Sequence, residues 1–182
     1  MFHSVQQLKN NHFACTHRAY VQVSRDRYKF GIISVQKLEN NRNNGVIIDH
    51  PKNQEDVILA KKLIDENLDF YTGDRLTLRE IEKFSDNGLL FCAYKNNVMC
   101  GMLQADFKNK IYWLGHIVVH KDFRGMGLAN LLVNHYLQEG LRLKTRQFQL
   151  WVINDNIPAI NLYEKRGFKY FNKSTYSLLK TN

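Results

Sequence analysis

The fold of this chain is decided by the stretch Val118-Val119-His120-Lys121-Asp122-Phe123-Arg124-Gly125-Met126-Gly127-Leu128-Ala129. An apolar run gives way to a short charged link, then to a glycine-rich turn, and then to the start of an amphipathic helix. Apolar residues continue at positions 129, 132, 133, 136, 137 and 141, and Gly140 completes the stripe. Because this is the spacing of a helix with one buried face, the stretch predicts a strand, a tight turn and a helix in succession.

The predicted turn suits a phosphorylated ligand. Gly125 and Gly127 have no Cβ, so a ligand can approach the backbone closely and φ can be positive. The N–H groups of the turn and of the first helical turn can converge on an anion. The third glycine and the downstream acid of a dinucleotide fingerprint are absent, and no Gly-Lys-Ser/Thr of a Walker A loop follows. The turn therefore predicts a phosphate site of another kind.

A second segment, Leu150 to Phe168, carries an independent pattern. A predicted strand ends at an Asp-Asn helix cap, Pro158 lies in the first helical turn, and the helix ends before Gly167. Within it the motifs Asn-x-x-Ala, Leu-Tyr-Glu-Lys and Gly-Phe follow one another. The first segment reads Arg-x-x-Gly-x-Ala from Arg124 to Ala129.

Together, in this order and at this spacing, the two segments resemble the cofactor-binding half of the GNAT superfamily of acyl-CoA-dependent N-acyltransferases. The resemblance covers roughly residues 46 to 180. It implies that acetyl-CoA is the acyl donor and that the loop binds its pyrophosphate through Arg124, Gly125, Met126, Gly127, Leu128 and Ala129. It further implies that the pantetheine arm and acyl oxygen are held by backbone groups of Ile117, Val118 and Val119, and that Asn156 contacts the cofactor.

The resemblance also proposes catalytic side chains. Tyr163 matches the family tyrosine that donates a proton to the departing thiolate, although a core tyrosine on a short helix is the alternative. The resemblance does not identify the general base, because Trp113 occupies the position at which related enzymes commonly carry a glutamate. His116 has an intrinsic pKa that suits a general base. The alternation of side chains along a strand, however, places His116 on the other face of the sheet from Trp113 and Ile117, unless a bulge resets the register. A water relay and a structural histidine remain alternatives.

Composition and element order predict an α/β (α+β) fold. With 182 residues, 44% hydrophobic and 24% charged, the chain has the composition of an ordinary globular protein. From Val46 onward the element order is β-α-α-β-β-β-α-β-α-β, which predicts a mixed, mostly antiparallel sheet with helices on both faces. The resemblance implies that two parallel strands, Ile111–Val119 and Gln147–Ile153, splay apart to admit the pantetheine arm.

We expect two units, a β-rich N-terminal appendage over residues 1–45 and an acetyltransferase domain over residues 46–182. The appendage contains two predicted strands, Arg18–Val23 and Tyr28–Val35, whose apolar side chains need a cover. It is expected to pack on the core or on a second copy of the chain, which makes a homodimer possible. Two final strands, about Phe168–Asn172 and Thr175–Leu179, are predicted to complete the sheet.

Charge and cysteine usage restrict the partners. The net charge of +9 comes from scattered Lys and Arg residues without a basic run, which favours attraction of a polyanionic cofactor over nucleic-acid binding. Neither a signal peptide nor a membrane span is predicted, so a cytoplasmic location with no membrane partner is expected. Cys15, Cys92 and Cys100 show no metal-ligand spacing, which indicates free thiols and no metal site.

The sequence thus predicts an N-acetyltransferase that transfers an acetyl group from acetyl-CoA to a primary amine of a small molecule or peptide. The amine would attack directly in a ternary complex. Transfer of a longer acyl group, or a non-catalytic acyl-CoA-binding module acting through a protein partner, are the alternatives. The acceptor amine is not specified by the sequence.

Overall fold

The computed structural model describes residues 26–32, 45–68, 76–145, 147–153 and 156–175. The strands are β1 Asp26–Ile32, β2 Val46–Asp49, β3 Leu90–Lys95, β4 Val98–Lys108, β5 Ile111–Val119, β6 Gln147–Ile153 and β7 Lys169–Thr175. The helices are α1 Gln54–Leu68, α2 Leu78–Asp86, α3 Leu128–Arg142 and α4 Ile157–Lys165, and a 3₁₀ turn spans Lys121–Phe123.

All seven strands form one sheet in the order β2-β3-β4-β5-β6-β1-β7. Every neighbouring pair is antiparallel except β5 and β6, which are parallel. The helices α1 and α2 pack on one face, and α3 packs on the other. The predicted fold class, a mixed and mostly antiparallel sheet covered on both faces, is confirmed.

Local sequence explains why the elements begin and end where they do. Thr77 caps α2 in a capping box, in which its side chain accepts from the Glu80 N–H and the Glu80 carboxylate accepts from the Thr77 N–H. Strands β3 and β4 are joined through Asn96 and Asn97, whose φ angles of 50° and 62° are both positive. Two central residues with positive φ match the twist of a hairpin, and asparagine tolerates that conformation.

Helix α3 buries the stripe that its periodicity predicts. Leu132, Val133, Tyr136 and Leu137 are all buried against β4, β5 and β6. A side chain on Gly140 would run into the ring of Phe148, so the missing side chain allows close packing of the helix on the sheet. Leu141 is the exception, because it is 45% exposed where α3 reaches its end at Arg142.

The N-terminal strand β1 is an integral part of the sheet. It pairs antiparallel with β6 on one side and with β7 on the other, and it overlaps the predicted strand Tyr28–Val35. The predicted strand Arg18–Val23 and most of the predicted strand Thr175–Leu179 lie outside the described residues. Residues 26–32 therefore complete the core sheet, while the division of the chain after residue 45 stays a prediction.

Candidate active site

Strands β5 and β6 pair only over their first halves. The parallel register runs from Ile111 opposite Gln147 to Leu114 opposite Leu150, whereas the strands continue to Val119 and Ile153. Beyond Leu114, β5 stays paired with β4 while its other edge leaves β6. The predicted splay is confirmed, and it creates an opening in the sheet between the ends of the two strands.

A β-bulge lies in β5 at the start of this opening. Gln104 of β4 is opposite His116, and the next residue, Ala105, is opposite Leu114, so Gly115 is the extra residue. A Cβ on Gly115 would collide with the terminal amide of Gln104, so a side chain here would displace that amide from His116. The bulge reverses which residues of β5 point to each face.

This reversal determines on which face of the sheet His116 lies. Before the bulge, Leu114 belongs to the core under α3, and after it Ile117 packs against that same core, while Val118 joins the core under α1 and α2. His116 therefore faces α1 and α2, on the same side as Trp113. Simple alternation would put His116 and Trp113 on different faces of the sheet. It does not hold here, because Gly115 is an extra residue in β5.

His116 is held by a buried glutamine. Its exposed fraction is 4%, and its Nδ1 lies 2.9 Å from Gln104 Oε1. The Gln104 amide is oriented by its own Nε2, which donates to the Ala105 carbonyl at 2.6 Å. With an amide oxygen as partner, Nδ1 is the donor, so a neutral His116 has its basic lone pair on Nε2. This tautomer is the one that a general base acting through Nε2 requires.

The glycine loop joins β5 to α3. Gly125 and Gly127 both have φ of 78°, the left-handed conformation that glycine adopts without strain. A Cβ at either position would meet no atom within 4 Å, and residues 124–127 are exposed. Gly127 is the N-cap of α3 and supplies no side-chain hydrogen bond to it. The loop that precedes α3 is therefore exposed and unobstructed at both glycines, which suits an anion site at a helix N-terminus.

The signature arginine of the loop is directed at protein groups. Arg124 Nε donates to the Val119 carbonyl at 3.3 Å, and Nη2 donates to Asn67 Oδ1 at the end of α1. Asn67 is itself oriented by donating from Nδ2 to the Leu63 carbonyl at 2.8 Å. Arg124 thus connects the loop to the ends of β5 and α1. Sequence reasoning did not find Asn67, because no local pattern relates two residues separated by 57 positions.

Helix α4 brings the second predicted segment to the same end of the sheet. Asn156 caps α4, since its Oδ1 accepts from the Ala159 N–H at 3.2 Å. Tyr163 is 4% exposed and lies edge-on to Phe168, with ring centroids 5.8 Å apart. Arg166, at the end of α4, donates to Asn130 in the first turns of α3 at 2.9 Å. The cap of Asn156 and the burial of Tyr163 are structural facts; their roles toward a cofactor stay predictions.

The strand residues of the predicted cofactor site lie along the opening. Val118 is buried, and Ile117 and Val119 are partly buried against the α3 core. All three pair with β4 on one side, while their other side lies where β6 has diverged. Their side chains thus belong to the core, and only backbone groups remain to meet a ligand in the opening.

The two described cysteines are poor nucleophiles. Burial raises the pKa of the Cys92 thiol to about 12 and also raises the pKa of Cys100. Both thiols are therefore neutral near pH 7, and a thiolate is the reactive form. Within the described ranges, no three His, Cys, Asp or Glu side chains are grouped closely enough to hold a metal ion. No helix among those residues is long and apolar enough to cross a membrane.

Comparison with known proteins agrees with this arrangement. The model of the acetyltransferase (GNAT) family matches residues 60–168, which is more than half of the chain. The chain belongs to the GNAT acetyltransferase family. That membership assigns it to a family of acyltransferases.

Individual relatives are distant. The chain is 31% identical over 108 residues to the mycothiol acetyltransferase of Geodermatophilus obscurus, covering 54% of this chain and 34% of that protein. A GCN5-related N-acetyltransferase from Sphaerobacter thermophilus superposes with a TM-score of 0.68 at 16% identity, covering 92% of this chain and 52% of the other. A chain of the NatC complex bound to Gag peptide and CoA gives a TM-score of 0.61 at 23% identity, covering 70% and 86%. This chain thus spans about a third of the curated relative's length and about half of the Sphaerobacter chain, and the structural likenesses establish the fold alone.

Proposed function

We propose that this protein is a cytoplasmic N-acetyltransferase that transfers an acetyl group from acetyl-CoA to a primary amine of a small molecule or peptide. One observation carries the proposal. An exposed glycine loop with two left-handed glycines precedes α3 and follows β5, and β5 is the strand that diverges from β6. The loop suits a pyrophosphate, and the opening suits the extended arm that follows it in coenzyme A.

Each predicted cofactor residue has a role in this arrangement. The pyrophosphate lies against the backbone N–H groups from Gly125 to Ala129, with Arg124 holding the loop in place. The pantetheine arm lies along Ile117–Val119 and bonds to the strand edge that β6 has left. The cap residue Asn156 lies at the start of α4, where it borders the cofactor. A chain of the NatC complex, a structure that contains CoA, has a similar fold, which supports coenzyme A as the kind of cofactor.

The reaction needs two proton movements and one bond exchange. The neutral amine nitrogen attacks the thioester carbonyl carbon, a C–N bond forms, and the C–S bond breaks. The nitrogen loses one proton, and the departing thiolate gains one. Tyr163 donates that proton from its hydroxyl, and either Nε2 of His116 or a water receives the proton of the amine.

Direct attack in a ternary complex is favoured over a covalent acyl-enzyme. A cysteine nucleophile would need a thiolate, and for the two cysteines among the described residues, Cys92 and Cys100, burial favours the protonated thiol. Both amine and thioester must then be bound together. The opening between β5 and β6 suits this, because it separates the two strands beyond Leu114 and Leu150 and so divides the sheet where the thioester would lie.

The test combines binding with turnover. Calorimetry should show acetyl-CoA binding to the protein alone, and a thiol assay should show CoA release when a panel of primary amines is added. Octanoyl-CoA in place of acetyl-CoA distinguishes transfer of a longer acyl group. Binding without CoA release for every amine would leave a non-catalytic acyl-CoA-binding module. Absence of binding would refute the proposal.

A further inference from the structure

Gln149 on β6 has a buried side-chain oxygen without a hydrogen-bond partner among the described residues. The side chain of Gln149 is 4% exposed, and its Oε1 accepts no hydrogen bond from the part of the chain that the structure describes. Buried amide oxygens are almost always paired, since leaving one unpaired costs the free energy of its desolvation. A ligand that donates a hydrogen bond would satisfy this oxygen.

Gln149 lies on the face of the sheet opposite α3. Its neighbours Phe148 and Leu150 belong to the core under α3, so alternation directs Gln149 and Trp151 to the other face. In the parallel register Gln149 is opposite Trp113, and Trp113 is opposite Asp106 of β4. A carboxylate, an indole and an amide thus follow one another across three strands, and a second indole is two residues further along β6.

This group borders the opening. The pair Trp113–Gln149 is followed by Leu114–Leu150, the last pair before β5 and β6 diverge. The bulge brings His116 to the same face. If the thioester occupies the opening, as the proposed function requires, an amine bound on this face lies beside both the reacting carbon and His116.

The chemistry of the group selects a compact cation. Indole faces attract ammonium groups, an amide oxygen accepts from their N–H bonds, and a carboxylate balances their charge. An extended peptide would instead need a free strand edge for its backbone. Here both edges of β5 are paired as far as Leu114, and the edge that β5 leaves unpaired beyond Leu114 is the one assigned to the pantetheine arm.

We propose that Trp113, Gln149 and Trp151 form the acceptor subsite and bind the ammonium group of a small primary alkylamine. Gln149 Oε1 accepts a hydrogen bond from the ammonium, the indoles contact its charge and adjoining carbon atoms, and Asp106 adds the opposing charge. Before attack the bound ammonium loses one proton to solvent water, and after the neutral nitrogen has attacked the thioester, His116 Nε2 or a water receives its second proton. This inference rests on the proposed function for the reaction, but the binding step can be measured by itself.

The two tryptophans provide that measurement, because they are the only ones in the chain. Titration with 1,4-diaminobutane should change the intrinsic fluorescence of the protein in a saturable way. The variant Gln149→Met keeps the side-chain length and removes the accepting oxygen, so it should weaken this binding about tenfold or more. The variant Gln149→Glu retains an accepting oxygen and should restore binding.

The same substitution two residues earlier, Gln147→Met, is the matched control, because Gln147 lies on the same strand and face but further from the opening. It should leave amine binding unchanged. In turnover assays Gln149→Met should raise KM for the diamine about tenfold while the Kd of acetyl-CoA stays within about twofold.

Three results would overturn the acceptor subsite: no fluorescence response to the diamine, equal affinities in wild type and Gln149→Met, or a higher kcat/KM for a free tripeptide than for the diamine. Failure of acetyl-CoA binding would instead refute the proposed function, with the fluorescence titration still deciding whether the amine binds.

Discussion

Substitution of Gly127 separates backbone strain from charge at the proposed pyrophosphate site. Gly127 has φ of 78° and leaves open space where a Cβ would be. A side chain there costs about 1–2 kcal/mol of backbone strain but meets no neighbouring atom. For a chain of this length, each kcal/mol lowers Tm by about 2–4 °C. Gly127→Asn and Gly127→Asp should therefore both fold, with similar small losses of stability.

The two variants differ in charge, and acetyl-CoA binding should reveal it. A carboxylate about 4 Å from one phosphate charge opposes binding by roughly 1 kcal/mol in water and roughly 4 kcal/mol at an effective dielectric constant near 20. The loop is exposed, so the lower part of this range applies. We expect Gly127→Asp to bind acetyl-CoA about five- to tenfold more weakly than Gly127→Asn, because about 1 kcal/mol is a factor of roughly five in Kd and 1.4 kcal/mol is about a factor of ten.

Calorimetry at low and high salt measures this difference. The gap between the two variants should narrow at about 1 M NaCl, where the screening length falls to about 3 Å. Unfolding followed by circular dichroism confirms that both variants retain the fold. Equal affinities of the Asp and Asn variants for acetyl-CoA at low salt would show that the pyrophosphate does not bind at this loop.

Three further changes test other parts of the site. Tyr163→Phe should lower kcat by about 10²–10⁴-fold with little change in acetyl-CoA affinity, and an unaltered kcat where chemistry limits the rate would exclude Tyr163 from the mechanism. Asn67→Ala should weaken acetyl-CoA binding several-fold, whereas Asn67→Asp keeps the oxygen that accepts from Arg124 and should not weaken it. The losses of affinity in Asn67→Ala and Arg124→Ala should be non-additive in the double variant. Additive losses would show that the hydrogen bond between Arg124 and Asn67 does not position the loop. Deletion of residues 1–45 removes β1, which pairs with both β6 and β7, and should lower Tm; an unchanged Tm would show that β1 is dispensable.

Local sequence predicted the elements that hold the proposed cofactor site. The bounds of β5 and β6 are confirmed at Ile111–Val119 and Gln147–Ile153, because each apolar run is bordered by turn or polar residues. The start of α3 after Gly127 is confirmed for a similar reason, since a glycine with positive φ interrupts the chain before the periodic stripe begins. These features depend on residues close together in sequence.

Features that depend on distant pairs were not predicted. The place of β1 between β6 and β7 follows from pairings such as Phe30 with Leu150, and no periodicity in either segment specifies its partner. The contact of Arg124 with Asn67 likewise joins a loop to a helix that ends long before it. Composition and spacing give element types, whereas neighbours across a sheet are selected by the packing of the whole chain.

The bulge at Gly115 had a signal in the sequence, namely a glycine inside a strand. Its position became clear only with the partner strand, because the Gln104 side chain fills the space that a Cβ would need. The same glutamine accepts from Nδ1 of His116, so the side chain that packs against the glycine also orients the candidate base. Without the extra residue His116 would point toward α3, on the face away from Gln149. A single inserted glycine therefore places the candidate base and the proposed acceptor subsite on one face, beside the opening where the two strands part.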